Sequence, residues 1–198
     1  MDWINFICDQ LVIWWQFTTV GVLIIIGLII NLFGVDCKED LIGFKYRVMP
    51  QLKPIRIPTA GKGFWGAIWM WLTGVRTWEV ADDWAFKIGS TWYVIPQGFV
   101  FDGASIPKFL HTWLSPTGVL LMGGLVHDYA YKYATLLKSG KKKTMGTIDQ
   151  KKADEIFRDI NIEQNGFHFL NYLAYWALRI GGFVAWNKHR KTNAKIGD

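Results

Sequence analysis

Residues 11–35, LVIWWQFTTVGVLIIIGLIINLFGV, carry no charge, and only Gln16, Thr18, Thr19 and Asn31 interrupt the apolar run. A helix of about 20 such residues crosses a hydrocarbon core about 30 Å thick. This segment therefore constrains the chain more than any other, and the expectation is a single transmembrane helix with Trp14 and Trp15 as interfacial anchors. A cleaved signal peptide fits poorly, because Asp2 and Asp9 precede the run without any Lys or Arg, and the run is too long. Lys38, Lys45, Arg47 and Lys53 follow it. The positive-inside rule then predicts an outside N-terminus and a cytoplasmic C-terminal domain. Cys8 and Cys37 flank the span on opposite sides, so they cannot pair within one chain, and a disulfide scaffold is excluded.

The remainder of the 198 residues suffices for one domain of ordinary size. With 12 Trp and 13 Phe the chain is aromatic-rich, as proteins at a membrane–water boundary are. Its net charge of +6 admits nucleic acid or an anionic membrane as partner. No nucleic-acid motif accompanies that charge, and KSGKKKT at 138–144 reads as a solvated loop or a contact with anionic lipid. The lipid membrane is the expected partner. GFWGAIWMWLTG, 63–74, is too short to span and reads as interfacial. FHFLNYLAYWALRIGGFVAW, 167–186, is interrupted by His168, Asn171 and Arg179. Arg179 at mid-bilayer would cost about 2.5–3.5 kcal/mol, so an amphipathic helix is expected there, lying in the interface or closing the domain core.

These features divide the chain into an anchor (1–36), a linker with the Trp-rich segment (37–74), an α+β domain (75–187) and a basic tail (188–198) expected to fray. VRTWEV, WAFKI and TWYVIPQGFVF predict a small antiparallel sheet, with ADD at 81–83 as a turn. A helical subdomain follows. SPTGVLLMGGLVHDYAYKYATLLK, 115–138, starts at Ser115 and Pro116, and TIDQKKADEIFRDINIEQNG, 147–166, stops at Gly166. An antiparallel pair of these two helices, joined by the basic loop, is the expected carrier of a His–Asp site.

That site centres on GGLVHDYAYKY, 123–133. His127, Tyr131 and Gly124 share one helix face, while Asp128 turns about 100° away. A His among bulky apolar residues tends to stay neutral and to accept a proton, and a carboxylate from another element would fix its tautomer. Asp154, beside the stripe of Ala153 and Phe157, is the first choice for that carboxylate, and Asp159 the second. Upstream, GFVFDGASIP places Asp102 and Gly103 at a strand-to-helix junction. Such a turn suits a cation held by Asp102 and carbonyls, or an oxyanion near Ser105. Turn and helix-cap roles for Asp102 and Ser105 are the alternative.

Two resemblances follow from these motifs. GFVFDGASIP with SPTG, HDYAY and ADEIFRDI resembles a family of phage and prophage proteins of unknown function across residues 76–185. It implies a viral origin, and with it a virion-associated location and other virion proteins as partners. HDYAY is also similar to the His-Asp-x-x-Tyr core of secreted calcium-dependent phospholipase A2. That resemblance implies His127 as the general base, Asp128 as a calcium ligand with Asp102 and Gly103, and Tyr131 supporting Asp154, the carboxylate that orients His127. The chain departs from that family in lacking its disulfide lattice, with Ala130 where Cys is usual, and in matching its calcium loop at Gly103 alone.

Two functions remain open from these residues. One is a membrane-anchored phospholipase-like esterase. The other is a non-enzymatic virion or membrane protein acting in assembly, genome delivery or host-envelope interaction, in which the His–Asp cluster is a buried network pinning two helices.

Overall fold

The computed structural model describes residues 42–56, 61–73, 77–102, 118–140, 144–192 and 196, together with Gly21, Val22, Ile25, Ile26 and Ile29. These last five are helical, and the four large apolar side chains among them are exposed. Among the described residues no helix is long and apolar enough to cross a membrane. Most of the expected span, Cys8, Cys37, Gly103 and Ser105 lie outside the described residues.

Among the described residues from 42 onward the architecture is α+β, built from two small antiparallel sheets and four helices. Strands β1 (Lys45–Tyr46), β4 (Trp84–Ile88), β5 (Thr91–Ile95) and β7 (Leu137–Lys138) form one sheet in the order β1-β4-β5-β7. Strands β2 (Leu52–Pro54), β3 (Trp78–Val80) and β6 (Val100–Phe101) form the other, in the order β2-β3-β6. The helices are α1 (Gly63–Thr73), α2 (Leu121–Tyr133), α3 (Gln150–Asn165) and α4 (His168–Thr192).

Alternation explains the sheets. In β4 and β5 the residues Trp84, Phe86, Tyr93 and Ile95 are buried, and β4 is aligned with β5 so that Trp84 faces Ile95 and Phe86 faces Tyr93. The turn at 81–83 falls where ADD predicts it, but the strands on its two sides enter different sheets. The linker contributes the extended segments β1 and β2. Glu163 on α3 fastens it, accepting the amide hydrogens of Gly43 at 2.7 Å and Phe44 at 2.6 Å.

Helix α2 ends earlier than the expected boundary at 138. Ala134 adopts a left-handed conformation with φ 52, and its N–H donates to Ala130 O. Leu137 and Lys138 then pair with Val94 and Tyr93 of β5, so backbone pairing overrides the helix-forming composition of ATLLK. Helix α3 follows expectation closely. Asp149 caps its start by accepting from Lys152 N, and Gly166 ends it at φ 67. Helix α4 runs through Thr192, so the first residues of the expected tail are helical. The core lies where α2 packs on the sheets, around Phe86, Ile95, Leu125 and Tyr129. A smaller cluster of Leu120, Phe157, Ala174 and Leu178 joins α3 to α4.

Candidate functional site

Contacts between α2 and α3 run in opposite directions along the two chains, with His127 against Asp154 and Phe157, and Gly123 against Asn161. The two helices therefore form the antiparallel pair that the His–Asp arrangement requires. Gly123 permits the approach, because a Cβ there would collide with the Asn161 side chain.

His127 is 1% exposed, and its Nε2–H donates to Asp154 Oδ1 at 2.9 Å. Asp154 is fully buried and takes two further donors. Tyr131 Oη–H reaches Oδ1 at 2.6 Å, and Arg179 Nη1 reaches Oδ2 at 2.9 Å. A carboxylate withdrawn from water needs such charge-assisted partners. Space for the Tyr131 hydroxyl comes from Gly182 of α4, where a Cβ would lie 2.5 Å from Oη. Arg179, which interrupts the apolar run in the sequence, thus turns inward to an ion pair.

Asp128, the next residue along α2, faces the other way. It lines a pocket of about 370 Å³ together with Asp102, Phe99, Tyr131, Lys132, Lys188 and His189. Its Oδ1 lies 3.5 Å from His127 Nδ1. Neither His127 Nδ1 nor Asp128 Oδ2 has a hydrogen-bond partner among the described residues. Asp102 lines the same pocket, and its negative charge acts on Asp128. A single line of polar groups thus runs from the pocket inward, through Asp128 and His127 to Asp154, Tyr131 and Arg179.

Burial and charge shift these groups in opposing senses. The Asp128 carboxyl is raised to about 7: burial pushes it up, His127 opposes the rise, and Asp102 adds to it. For His127, burial alone would lower the pKa, but the nearby charges of Asp128 and Asp154 and the Asp154 hydrogen bond outweigh it, and the net direction is upward. Burial and Asp154 both hold the Tyr131 phenol well above its ordinary range, so it is a fixed donor. At the pocket rim His189 is held below its usual value, first by burial and then by the cations Arg190, Lys188 and Lys132, with Asp102 opposing.

The structure brings His127, Asp154 and Tyr131 together as the helix pattern predicts, and sets Asp128 and Asp102 on one pocket. His127 does not line the pocket. The imidazole is sealed, and Asp128 stands between it and the pocket. Asp159, the second choice for the orienting carboxylate, accepts instead from Arg158 Nε at 2.7 Å. Of the residues expected to hold calcium, Asp128 and Asp102 line the pocket, and Gly103 lies outside the described residues. No group of three or more His, Cys, Asp or Glu side chains among the described residues could hold a metal ion, and Lys132 and Lys188 line the same pocket as its two carboxylates.

Lys188 and His189 escaped sequence reasoning because a polar stretch near the end of a chain reads as fraying. The available signal was the absence of Gly or Pro from 183 to 192, with Ala185, Lys188 and His189 at helical spacing. Arg190 secures that end of α4 by donating to the carbonyl oxygens of Tyr131 and Lys132 at the end of α2.

A family model described as "Protein of unknown function (DUF1353)" matches residues 78–178, just over half of the chain. Neither a curated protein nor a solved structure matches the chain.

Proposed function

The chain belongs to this family, whose description names no activity, and we propose that it is a membrane-anchored phage hydrolase cleaving a lipid ester by carboxyl acid–base chemistry. The observation that carries the reading is the polar line ending at the pocket: Asp128 fronts the cavity, and His127 behind it is held by Asp154, Tyr131 and Arg179. A carboxyl group that exchanges its proton near neutral pH suits a general acid.

In this mechanism water attacks the ester carbonyl carbon while Asp102 takes its proton. As the tetrahedral intermediate collapses, Asp128 donates its proton to the departing alkoxide oxygen. The acid and the alcohol leave, and the proton on Asp102 passes to Asp128, restoring the pair. His127 acts as a positioning residue, stabilising the Asp128 carboxylate formed at the moment of donation. Lys132 and Lys188, on the same pocket, offset the charge developing on the carbonyl oxygen.

Two observations favour a membrane location. The apolar residues described within 11–35 are helical and exposed. Phe64 and Trp65 of α1, and Trp176, Ile180, Phe183 and Val184 of α4, are also exposed. The last four recur at helical spacing, forming an apolar stripe of the kind that enters a bilayer interface. The His-Asp-x-x-Tyr resemblance supports an ester of a membrane lipid as the substrate.

Hydrolysis of a short-chain phospholipid by the full chain in detergent micelles tests this. Asp128→Asn is expected to reduce the rate by about a hundredfold or more, and His127→Gln to reduce it less. Equal rates for wild type and Asp128→Asn would sink the proposal. A second reading is favoured by the sealed state of His127 and Asp154: a virion or membrane protein in which the network only pins α2, α3 and α4. Absence of turnover with every lipid ester tried would select it.

A further inference from the structure

We propose that the pocket takes a ligand bearing a phosphate group, gripped at its mouth by Lys132, Lys188 and His189. This deepens the reading of the pocket as a substrate site and rests on it.

The three side chains come from two elements that are fastened together. Lys132 lies in the last turn of α2, and Lys188 and His189 lie near the end of α4. Arg190 ties those ends through the carbonyl oxygens of Tyr131 and Lys132, so the donors converge on one rim. Lys132 Nζ sits 5.5 Å from the centre of the Phe99 ring and 5.2 Å from that of Tyr133, which holds it at the mouth. Neither Lys132 nor Lys188 forms an ion pair among the described residues.

Unpaired ammonium groups on one rim make a site for an anion. A phosphate has enough acceptor oxygens for both lysines and a neutral imidazole, and lysine serves such groups as a point charge. His189 is held below its usual value first by burial and then by Arg190, Lys188 and Lys132, against Asp102, so it meets the anion as a neutral donor. Phe99 and Val100 line the same pocket and give it apolar surface, so the remainder of the ligand is apolar at least in part. A cavity of about 370 Å³ falls within the usual range for small-molecule sites, about 300–1,000 Å³. The phosphate source is either a lipid headgroup or a free phosphate ester.

Calorimetry on the full chain in zwitterionic micelles separates these sources, using inorganic phosphate, glycerol phosphate and dihexanoyl phosphatidylglycerol as probes. NMR of the His189 imidazole supplies the site-specific signal. Saturable binding is expected, with an upward shift of the His189 titration as the anion docks. Lys132→Gln and Lys188→Gln should each weaken binding by roughly tenfold, the effect of losing one charge-assisted hydrogen bond. Lys151→Gln, on an exposed face of α3, should leave it unchanged. Binding of the lipid alone identifies the headgroup as the source, and equal binding of glycerol phosphate identifies the free ester. No binding of any probe, or binding indifferent to both lysine substitutions, overturns the inference. Hydrolysis of an uncharged ester without phosphate binding would also overturn it and leave the hydrolytic reading standing. Phosphate binding without hydrolysis of any ester would do the reverse.

Discussion

His127 and Asp128 are neighbours on α2, yet one faces the helix interior and the other a pocket. On the inner side each group has fixed partners: imidazole, phenol and guanidinium all converge on Asp154. On the outer side the carboxyls of Asp128 and Asp102 meet Lys132, Lys188 and His189 around open space. The contrast teaches that a buried polar network and a reactive site can be assembled from consecutive residues. Convergence on one anion makes the inner side rigid, and open space leaves the carboxyls of the outer side able to exchange protons and bind.

The inner side should break hardest. Asp154→Ala leaves a buried His127 and the Arg179 guanidinium without their anion, and a loss of about 3–5 kcal/mol is expected from denaturant unfolding. Gly182→Ala drives a methyl group against the Tyr131 hydroxyl. A loss of about 1–3 kcal/mol is expected for such overpacking, and Tyr131→Phe in the same chain should relieve part of it. On the outer side Asp128→Asn should not destabilise the fold in denaturant while removing activity, which separates the two roles. The smallest effect belongs to the exposed Lys151–Glu155 pair at 3.8 Å. Its removal is expected to change stability by less than about 0.5 kcal/mol.

The pH dependence of stability sharpens the same comparison. Asp128 holds its proton to a higher pH when folded than when unfolded, up to about 7 against an ordinary 3.8. The folded state therefore binds the extra proton within that window, and this contribution to stability falls as pH rises from about 4 to about 7. His127 is raised as well. Its contribution is fully present below an unfolded pKa of about 6.5 and is lost as pH rises through the folded value. Both slopes have the same sign. Urea unfolding at several pH values should show that decline, and Asp128→Asn should flatten its acidic limb.

The inner network was legible in the sequence because helical spacing alone constrains it. His127 and Tyr131 must share a face, and the apolar stripe of the next helix places Asp154 toward them. Gly166 and Asp149 mark the ends of α3 as local chemistry predicts. The pocket was less legible, since it forms where a strand end, the close of α2 and the last turns of α4 meet, and no local pattern encodes that meeting. Arg179 misled for a related reason: in isolation it marks a flaw in an apolar run, and only Asp154 explains it. The early end of α2 escaped as well, because Ala134 is a residue that seldom adopts positive φ, and β5 recruits the chain beyond it.

The central claim is that Asp128 presents to the pocket a carboxyl that exchanges its proton near neutral pH. Carbon-13 NMR titration of the Asp128 side chain in the full-length protein tests it most directly. A midpoint near 7 is expected, moved downward when Asp102→Asn removes the neighbouring negative charge. A midpoint in the ordinary carboxylate range, unmoved by that substitution, would contradict it.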